Sequence, residues 1–138
     1  MKLHPYVMFN GQCEQAIEFY KDIFDAQVPV LMRYGEAPPE VLTTPEDHKQ
    51  KIMHATIAFG GVSFQLCDNM QPNYKRGNSN HLYITMDSEH EAAMVFESLA
   101  EGGTIGMPFD ETFWGSKFGM CTDKFDVQWM VSAEKESA

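Results

Sequence analysis

The segments HPYVMFN (residues 4–10) and HLYITMD (residues 81–87) decide the fold, because they open two copies of one pattern. Each segment starts with a histidine, continues as an apolar strand and ends in Asn or Asp, residue types that begin helices. The match continues at the same interval into an amphipathic stretch, where Phe19 falls opposite Phe96. The chain therefore repeats a supersecondary unit, and a duplicated unit predicts a functional cleft between its copies.

Length and charge limit the class of protein. A chain of 138 residues is the size of one domain and has room for a proper hydrophobic core. Its net charge of −10 argues against nucleic acid and anionic membranes as partners, since both attract basic surfaces. No apolar run approaches the roughly 20 residues that span a bilayer, and the N-terminus lacks the pattern of a secretory signal. We expect a soluble, cytoplasmic protein.

The cysteines point to packing rather than to chemistry. Cys13, Cys67 and Cys121 are odd in number, widely spaced and without a CxxC pair, which argues against disulfides and thiolate zinc sites. We expect three small buried side chains. Cys13 lies near a predicted helix N-terminus, a position that can lower the pKa of a thiol, although no neighbouring base is visible.

The first half predicts a strand, a helix and three further strands. Pro5 places the first strand at a sheet edge or at its own first residue, and Asn10 is expected to cap the helix. Gly60-Gly61 supplies the positive φ of a tight hairpin turn. The strands are predicted at residues 4–9, 27–34, 52–59 and 62–67. The buried stripe of the helix is predicted to consist of Cys13, Ala16, Ile17, Tyr20 and Phe24.

Residues 35–50 form a long loop rich in Pro, Thr and Glu. Loops of this length in a compact domain are either functional or poorly ordered. A flap over a cleft and a poorly ordered insertion are both open at this stage.

The second half repeats the order of elements. Ser88 with Glu91 three residues later forms a capping box, and Gly102-Gly103 ends the helix that follows. The strands are predicted at residues 81–86, 104–107, 117–122 and 127–132. The predicted fold is therefore α+β, with βαβββ modules at about residues 3–68 and 80–134 inside a single domain covering residues 1–138. Each sheet would cover its own helix and leave its other face concave.

Four segments resemble the vicinal oxygen chelate superfamily, which includes glyoxalase I, fosfomycin-resistance proteins and extradiol dioxygenases, and within it the PhnB-like group. They are distributed over nearly the whole chain, and ETFW with TDKF is the more specific combination. The segments are PYVMFNGQCEQAI (5–17), MRYGEAP (32–38), ETFWG (111–115) and FGMCTDKF (118–125). The resemblance implies a glyoxalase-like fold with a curved mixed sheet, often completed in a homodimer.

The resemblance also implies a metal site, since many members hold a divalent ion with one residue on the first strand and one on the last strand of each half. Those positions fall on His4, Gln65, His81 and Met130. The usual carboxylates are thus replaced by an amide and a thioether, which are weaker ligands for a hard divalent ion. A divalent metal ion on His4, Gln65 and His81 is the only cofactor implied. Glyoxalase chemistry needs a base, and Met130 cannot serve as one.

The histidines have an alternative interpretation. His4 and His81 also suit purely structural roles, hydrogen-bonded at the starts of strands. His48 and His90 are expected to face solvent, and His54 has no partner that the sequence identifies.

The segment FDETFWG (109–115) is the second candidate site. Glu111, Phe113 and Trp114, together with Met130, suggest a pocket for a small organic ligand, in which rings give apolar contact and a polar group fixes orientation. The alternative places Trp114 in the core where the two halves meet.

Together these observations predict a protein that binds a small organic molecule in a hydrophobic cleft. The competing hypothesis is a metal-dependent enzyme using His4, Gln65 and His81, with Glu111 as the nearest candidate base. A third possibility is a scaffold or interaction partner. No glycine-rich loop follows a strand and opens a helix, which argues against the methyltransferase label that the PhnB-like group sometimes carries.

Overall fold

The computed structural model describes residues 1–134. The chain divides into two compact units, an N-terminal unit (Met1–Lys75) and a C-terminal unit that starts at Arg76. None of the helices in the described residues combines the length and the apolar character needed to cross a lipid bilayer.

The N-terminal unit is a four-stranded mixed sheet with one helix. Its strands lie in the order β1-β4-β3-β2, with β1 parallel to β4 and the other neighbours antiparallel. Short 3-10 turns cover Tyr34–Glu36 and Glu46–His48. The main elements are β1 (Tyr6–Phe9), α1 (Cys13–Phe24), β2 (Gln27–Arg33), β3 (Ile52–Phe59) and β4 (Val62–Asp68).

Helix α1 buries four of the five residues of the predicted stripe against one face of this sheet, and the fifth, Phe24, is half-buried. Cys13, Ala16, Ile17 and Tyr20 are buried, at the 3.6-residue spacing of one helix face. Tyr20 meets Phe64 of β4 edge-on, with 6.1 Å between ring centroids. Successive side chains along each strand point to opposite faces of the sheet, so every second residue packs against α1 and the residues between them face the other side.

The cap of α1 differs from the prediction. The side chain of Asn10 donates to the carbonyl of Asn69 and makes no cap. Instead Asp68, at the end of β4 and 1% exposed, accepts hydrogen bonds from the backbone N–H groups of Gly11 and Cys13 at Oδ1 and of Ile52 at Oδ2, each at 2.9 Å. One buried carboxylate therefore supplies the acceptors that the start of α1 needs.

The C-terminal unit repeats the same plan. Its strands lie in the order β5-β8-β7-β6, with β5 parallel to β8. The hydroxyl of Ser88 accepts from the N–H of Glu91 at 3.2 Å, so the predicted cap of α2 is confirmed. The elements are β5 (Leu82–Met86), α2 (Glu89–Ala100), β6 (Thr104–Glu111), β7 (Ser116–Thr122) and β8 (Gln128–Glu134).

A second buried carboxylate stabilises this unit. Asp123, 2% exposed, accepts from the N–H groups of Phe125 and Val127 at Oδ1 and from the indole N–H of Trp129 at Oδ2. Trp129 is 1% exposed and carries its only polar group into the core. The carboxylate satisfies that group, which would otherwise be costly to bury.

The register confirms the internal repeat. Tyr6 pairs with Gln65 in the first sheet, and Tyr83 pairs with Met130 in the second. The predicted α+β fold with paired βαβββ modules is confirmed. The main difference lies in β6, which continues to Glu111 rather than ending at residue 107.

Asp68→Asn is expected to lower the free energy of unfolding by about 3 kcal/mol, because an amide N–H₂ would face one of the three backbone donors and leave it unsatisfied. Urea denaturation followed by circular dichroism measures the change. Asp22→Asn, on the exposed face of α1, is the matched control and should shift the value by less than about 0.5 kcal/mol. Equal effects of the two substitutions would contradict the role assigned to Asp68.

Candidate functional site

Each sheet has one face covered by its own helix and one face that the helix leaves free, which we call the open face. In the N-terminal unit the paired residues Tyr6 and Gln65 lie on the open face, since their neighbours Phe64 and Leu66 are buried on the helix side. In the C-terminal unit the same argument places Tyr83 on the open face. The candidate site residues are considered on each open face in turn.

The open face of the N-terminal unit carries a hydrogen-bonded tyrosine and histidine. The hydroxyl of Tyr6 lies 3.1 Å from Nδ1 of His54. The same hydroxyl also hydrogen-bonds the thiol of Cys67. Partial burial is the main cause that raises the pKa of Tyr6 to about 12, so the hydroxyl keeps its single proton, which it can donate to only one of these two partners at a time. His54, for which the sequence suggested no partner, is thus held by a residue that the sequence reasoning missed.

Gln65 lies beside this pair and is itself engaged. Its side-chain oxygen, the atom expected to bind a metal ion, accepts a hydrogen bond from the hydroxyl of Thr56 at 2.8 Å. His4 is exposed and lies two residues before Tyr6, immediately outside β1. His81 holds the corresponding place before Tyr83 in the other unit and is partly exposed.

The open face of the C-terminal unit carries a row of aromatic rings. The ring of Tyr83 lies 6.2 Å from that of Phe118, and Phe118 lies 6.0 Å from Trp114, measured between centroids. Phe113 continues the row, 5.0 Å from Trp114 and edge-on to it. We call these four residues the aromatic row. Tyr83 is 57% exposed and Trp114 is 58% exposed, so neither belongs to the core of this unit.

Three methionines lie beside the aromatic row. Met130 of β8 pairs with Tyr83 and with Met120, and Met120 in turn pairs with Met107 at the sheet edge. Directly paired residues point to the same side of a sheet, so all three methionines share the open face. Met107 is 43% exposed. The face is therefore apolar, wide and partly solvent-accessible.

Glu111 does not belong to this face. It pairs with Lys117, whose ammonium group lies 3.6 Å from the carboxylate of Glu89 on α2. The side chain of Glu111 therefore points to the helix side of the sheet. Asp110, one residue earlier, pairs with Phe118 and is the carboxylate on the open face. Register shifts within β6 decide which of the two acids faces the row, and no sequence pattern marks them.

The loop of residues 35–50 lines a cavity of about 300 Å³ in the N-terminal unit. Leu42, Thr43 and His48 contribute from the loop, and Met8 and Cys67 contribute from the sheet. The sequence had suggested that His48 faces solvent only. The structure instead places it in the lining of this cavity. His90 is exposed, as predicted.

All three cysteines are buried and free, as predicted. Burial, more than any neighbouring charge, raises the pKa of each thiol, in Cys121 to about 11. The low pKa considered for Cys13 is therefore wrong, because its burial and the neighbouring Asp68 carboxylate disfavour the thiolate.

The described residues, 1–134, contain no group of three or more His, Cys, Asp or Glu side chains placed to hold a metal ion. The donors at the expected positions are two imidazoles, one amide and one thioether. Such a set does not fit a hard divalent ion, which prefers carboxylate and other oxygen ligands.

Paired βαβββ modules give the chain a glyoxalase-like fold. Solved glyoxalase-like structures share the fold with TM-scores of 0.65 and 0.68 at 12% and 15% identity, a likeness that shows the fold alone.

Within this class the chain belongs to the PhnB-like family, whose model is described as 3-demethylubiquinone-9 3-methyltransferase and matches residues 1–132. Protein YjdN of Escherichia coli K12 is 32% identical to this chain, and the match covers 99% of this chain and 97% of YjdN. The crystal structure of protein PA1353 from Pseudomonas aeruginosa is 36% identical over 99% of both chains, with a TM-score of 0.85. A PhnB protein from Bacillus cereus is 30% identical over 96% of this chain and 99% of its own, with a TM-score of 0.80.

Stability is expected to fall at alkaline pH. The thiols have raised pKa values in the folded chain, so above about pH 8.5 the unfolded chain binds fewer protons than the folded one, and the free energy of unfolding decreases with pH. Cys121 alone should contribute a loss of about 2 kcal/mol by pH 11.

Urea denaturation under reducing conditions from pH 8 to 11 tests this, with Cys121→Ala as the comparison. The variant removes one titrating group and should lose less stability over the range than the parent protein. Parallel slopes for the two proteins would contradict the assignment.

Proposed function

We propose that the C-terminal unit binds a small, flat organic molecule on its open face, against the aromatic row. The exposure of Tyr83 and Trp114 carries the proposal, since large rings that a fold leaves more than half exposed gain by being covered. Phe118 lies between them and completes a continuous apolar surface.

The composition of the face supports a ligand rather than a second layer of core. Aromatic pairs in favourable geometry contribute about 0.5–1.5 kcal/mol beyond the area they bury. Met107, Met120 and Met130 add flexible, polarisable side chains that adapt to the shape of a ligand. Asp110 at the sheet edge supplies a polar group that can orient a donor on the ligand.

Trp114→Ala is expected to weaken binding of a flat aromatic probe, 7-hydroxycoumarin, by roughly 10-fold or more, which corresponds to about 1.4 kcal/mol. Fluorescence polarisation of the probe measures the dissociation constant. Met94→Ala, an equally exposed apolar residue on α2, is the matched control and should leave the affinity unchanged. Binding that survives Trp114→Ala intact, or that falls equally in both variants, would contradict the proposal.

The two tryptophans give an independent readout. Trp114 is exposed, whereas Trp129 is buried against Asp123. We expect the probe to quench the emission of Trp114 only, so Trp114→Phe should leave a protein whose remaining tryptophan emission does not respond.

The alternative is a metal-dependent enzyme with His4, Gln65 and His81 as ligands. The equivalent places of His4 and His81 in the two units favour it, since both precede an open-face tyrosine. The rest of the set does not fit, because no carboxylate is present, the Gln65 oxygen is engaged by Thr56, and Glu111 points to the helix side. We therefore derive no catalytic step through a metal ion.

Elemental analysis separates the two hypotheses. Protein purified without a chelator or affinity tag should contain less than stoichiometric Mn, Fe, Ni and Zn, and added divalent ions should leave its melting temperature unchanged. A stoichiometric metal that is lost in both His4→Ala and His81→Ala would favour the enzyme.

Three further expectations stay predictions. The family relationship favours a homodimer, which analytical ultracentrifugation would detect. The acidic net charge of −10 favours a protein without nucleic-acid or membrane partners. A cytoplasmic location remains to be tested by fractionation.

A further inference from the structure

We propose that the cavity of the N-terminal unit is a second binding site, specific for a small uncharged organic molecule with an apolar body and a hydrogen-bonding group. The cavity lies within one unit and shares no residue with the aromatic row. Its volume of about 300 Å³ is at the lower end of the range for ligand pockets.

The walls of the cavity come from two paired strands and from the loop of residues 35–50. Met8 and Cys67 lie side by side on paired strands β1 and β4, and Met70 follows the end of β4. Leu42, Thr43 and His48 close the opposite side from the loop. An apolar floor facing a mixed polar and apolar wall suits a molecule that has both characters.

The loop is anchored at its base. The N–H of Tyr34 donates to the carbonyl of Lys51, and the N–H of Gly35 donates to the carbonyl of Lys49. The hydroxyl of Tyr34 donates to the carbonyl of Asp68 at 2.7 Å, which joins the loop to the end of β4. These bonds hold the two ends of the loop together beside the cavity, which lowers the entropy cost of ordering the loop around a ligand.

Arg33 strengthens the same anchor from outside the cavity. Its guanidinium donates to both carboxylate oxygens of Glu14 on α1 and to the carbonyl of Gln50 at 2.7 Å. This cation is therefore committed to positioning the loop and is not among the residues lining the cavity.

The charges of the lining select against ions. Among the described residues, no lysine or arginine lines the cavity, and Asp68 spends both carboxylate oxygens on backbone N–H groups. An anionic ligand would lose its hydration without gaining a cationic partner, which is costly. The polar groups that remain to recognise a ligand are neutral ones, such as the hydroxyl of Thr43 and the amide of Gln71. The imidazole of His48 also lines the cavity, with its Nε2 3.8 Å from the carboxylate of Asp47.

Methionine methyl NMR tests the proposal on the whole chain. In protein labelled with ¹³C at the methionine methyl groups, Met8 and Met70 report on the cavity, whereas Met107, Met120 and Met130 report on the aromatic row. The probes are benzyl alcohol and cyclohexanol, compared with benzoate and cyclohexanecarboxylate as anions of similar size. We expect saturable shifts of Met8 and Met70 with the alcohols, and at least 10-fold weaker binding of the carboxylates.

Filling the cavity provides the control. Thr43→Trp, at a solvent-accessible residue that lines the cavity, should weaken the response of Met8 and Met70 to the alcohols by at least 10-fold. Thr104→Trp, at the exposed start of β6, should leave it unchanged. Circular dichroism and unchanged spectra of the C-terminal methionines establish that both variants are folded.

Three results would overturn the proposal: no saturable shift of Met8 and Met70, carboxylates that bind as well as the alcohols, or a Thr43→Trp variant that binds normally. Shifts confined to Met107, Met120 and Met130 would support the aromatic row and reject the cavity. Shifts confined to Met8 and Met70 would do the reverse, so the two proposals fail separately.

Discussion

The carboxylate of Asp68 is the interaction on which the N-terminal unit depends. It lies at the end of the central strand β4 and accepts backbone hydrogen bonds from the start of α1 and from the first residue of β3. These contacts fix where the helix begins and how it meets the sheet, and therefore which strand residues face away from it. The hydroxyl of Tyr34 donates to the backbone carbonyl of Asp68. The loop over the cavity is therefore attached to the residue that also caps α1.

The sequence predicts the repeated helices well because the two signals that mark them, apolar periodicity and a capping residue, are local. The 3.6-residue stripe of α1 and the serine cap of α2 are visible within one turn of helix. The cap of α1 is not predictable in this way, since its acceptor is Asp68, which is far along the chain and resembles a surface acid in a polar stretch. Asn10 has the right residue type at the right place, yet its side chain binds Asn69. A long-range acceptor thus replaces the local one.

The candidate site is predictable only as far as strand periodicity extends. The family resemblance places Gln65 and Met130 on open faces, and the register agrees, since each is paired with a tyrosine that the sequence reasoning did not single out. The alternation fails in β6, where register shifts put Asp110 rather than Glu111 beside Phe118. The partners of each open-face residue come from other strands, so the bond between Tyr6 and His54 is invisible in the sequence.

The two units have diverged at equivalent positions of one plan. Tyr6 and Tyr83 are equivalent, yet Tyr6 meets His54 and Tyr83 meets Phe118. Gln65 and Met130 are equivalent too, and one is paired with Thr56 while the other is paired with Met120. One open face carries hydrogen-bonded polar side chains, whereas the other carries aromatic rings and methionines. Taken separately, the first face offers polar groups and the second offers apolar surface, the two kinds of group that line pockets for organic molecules.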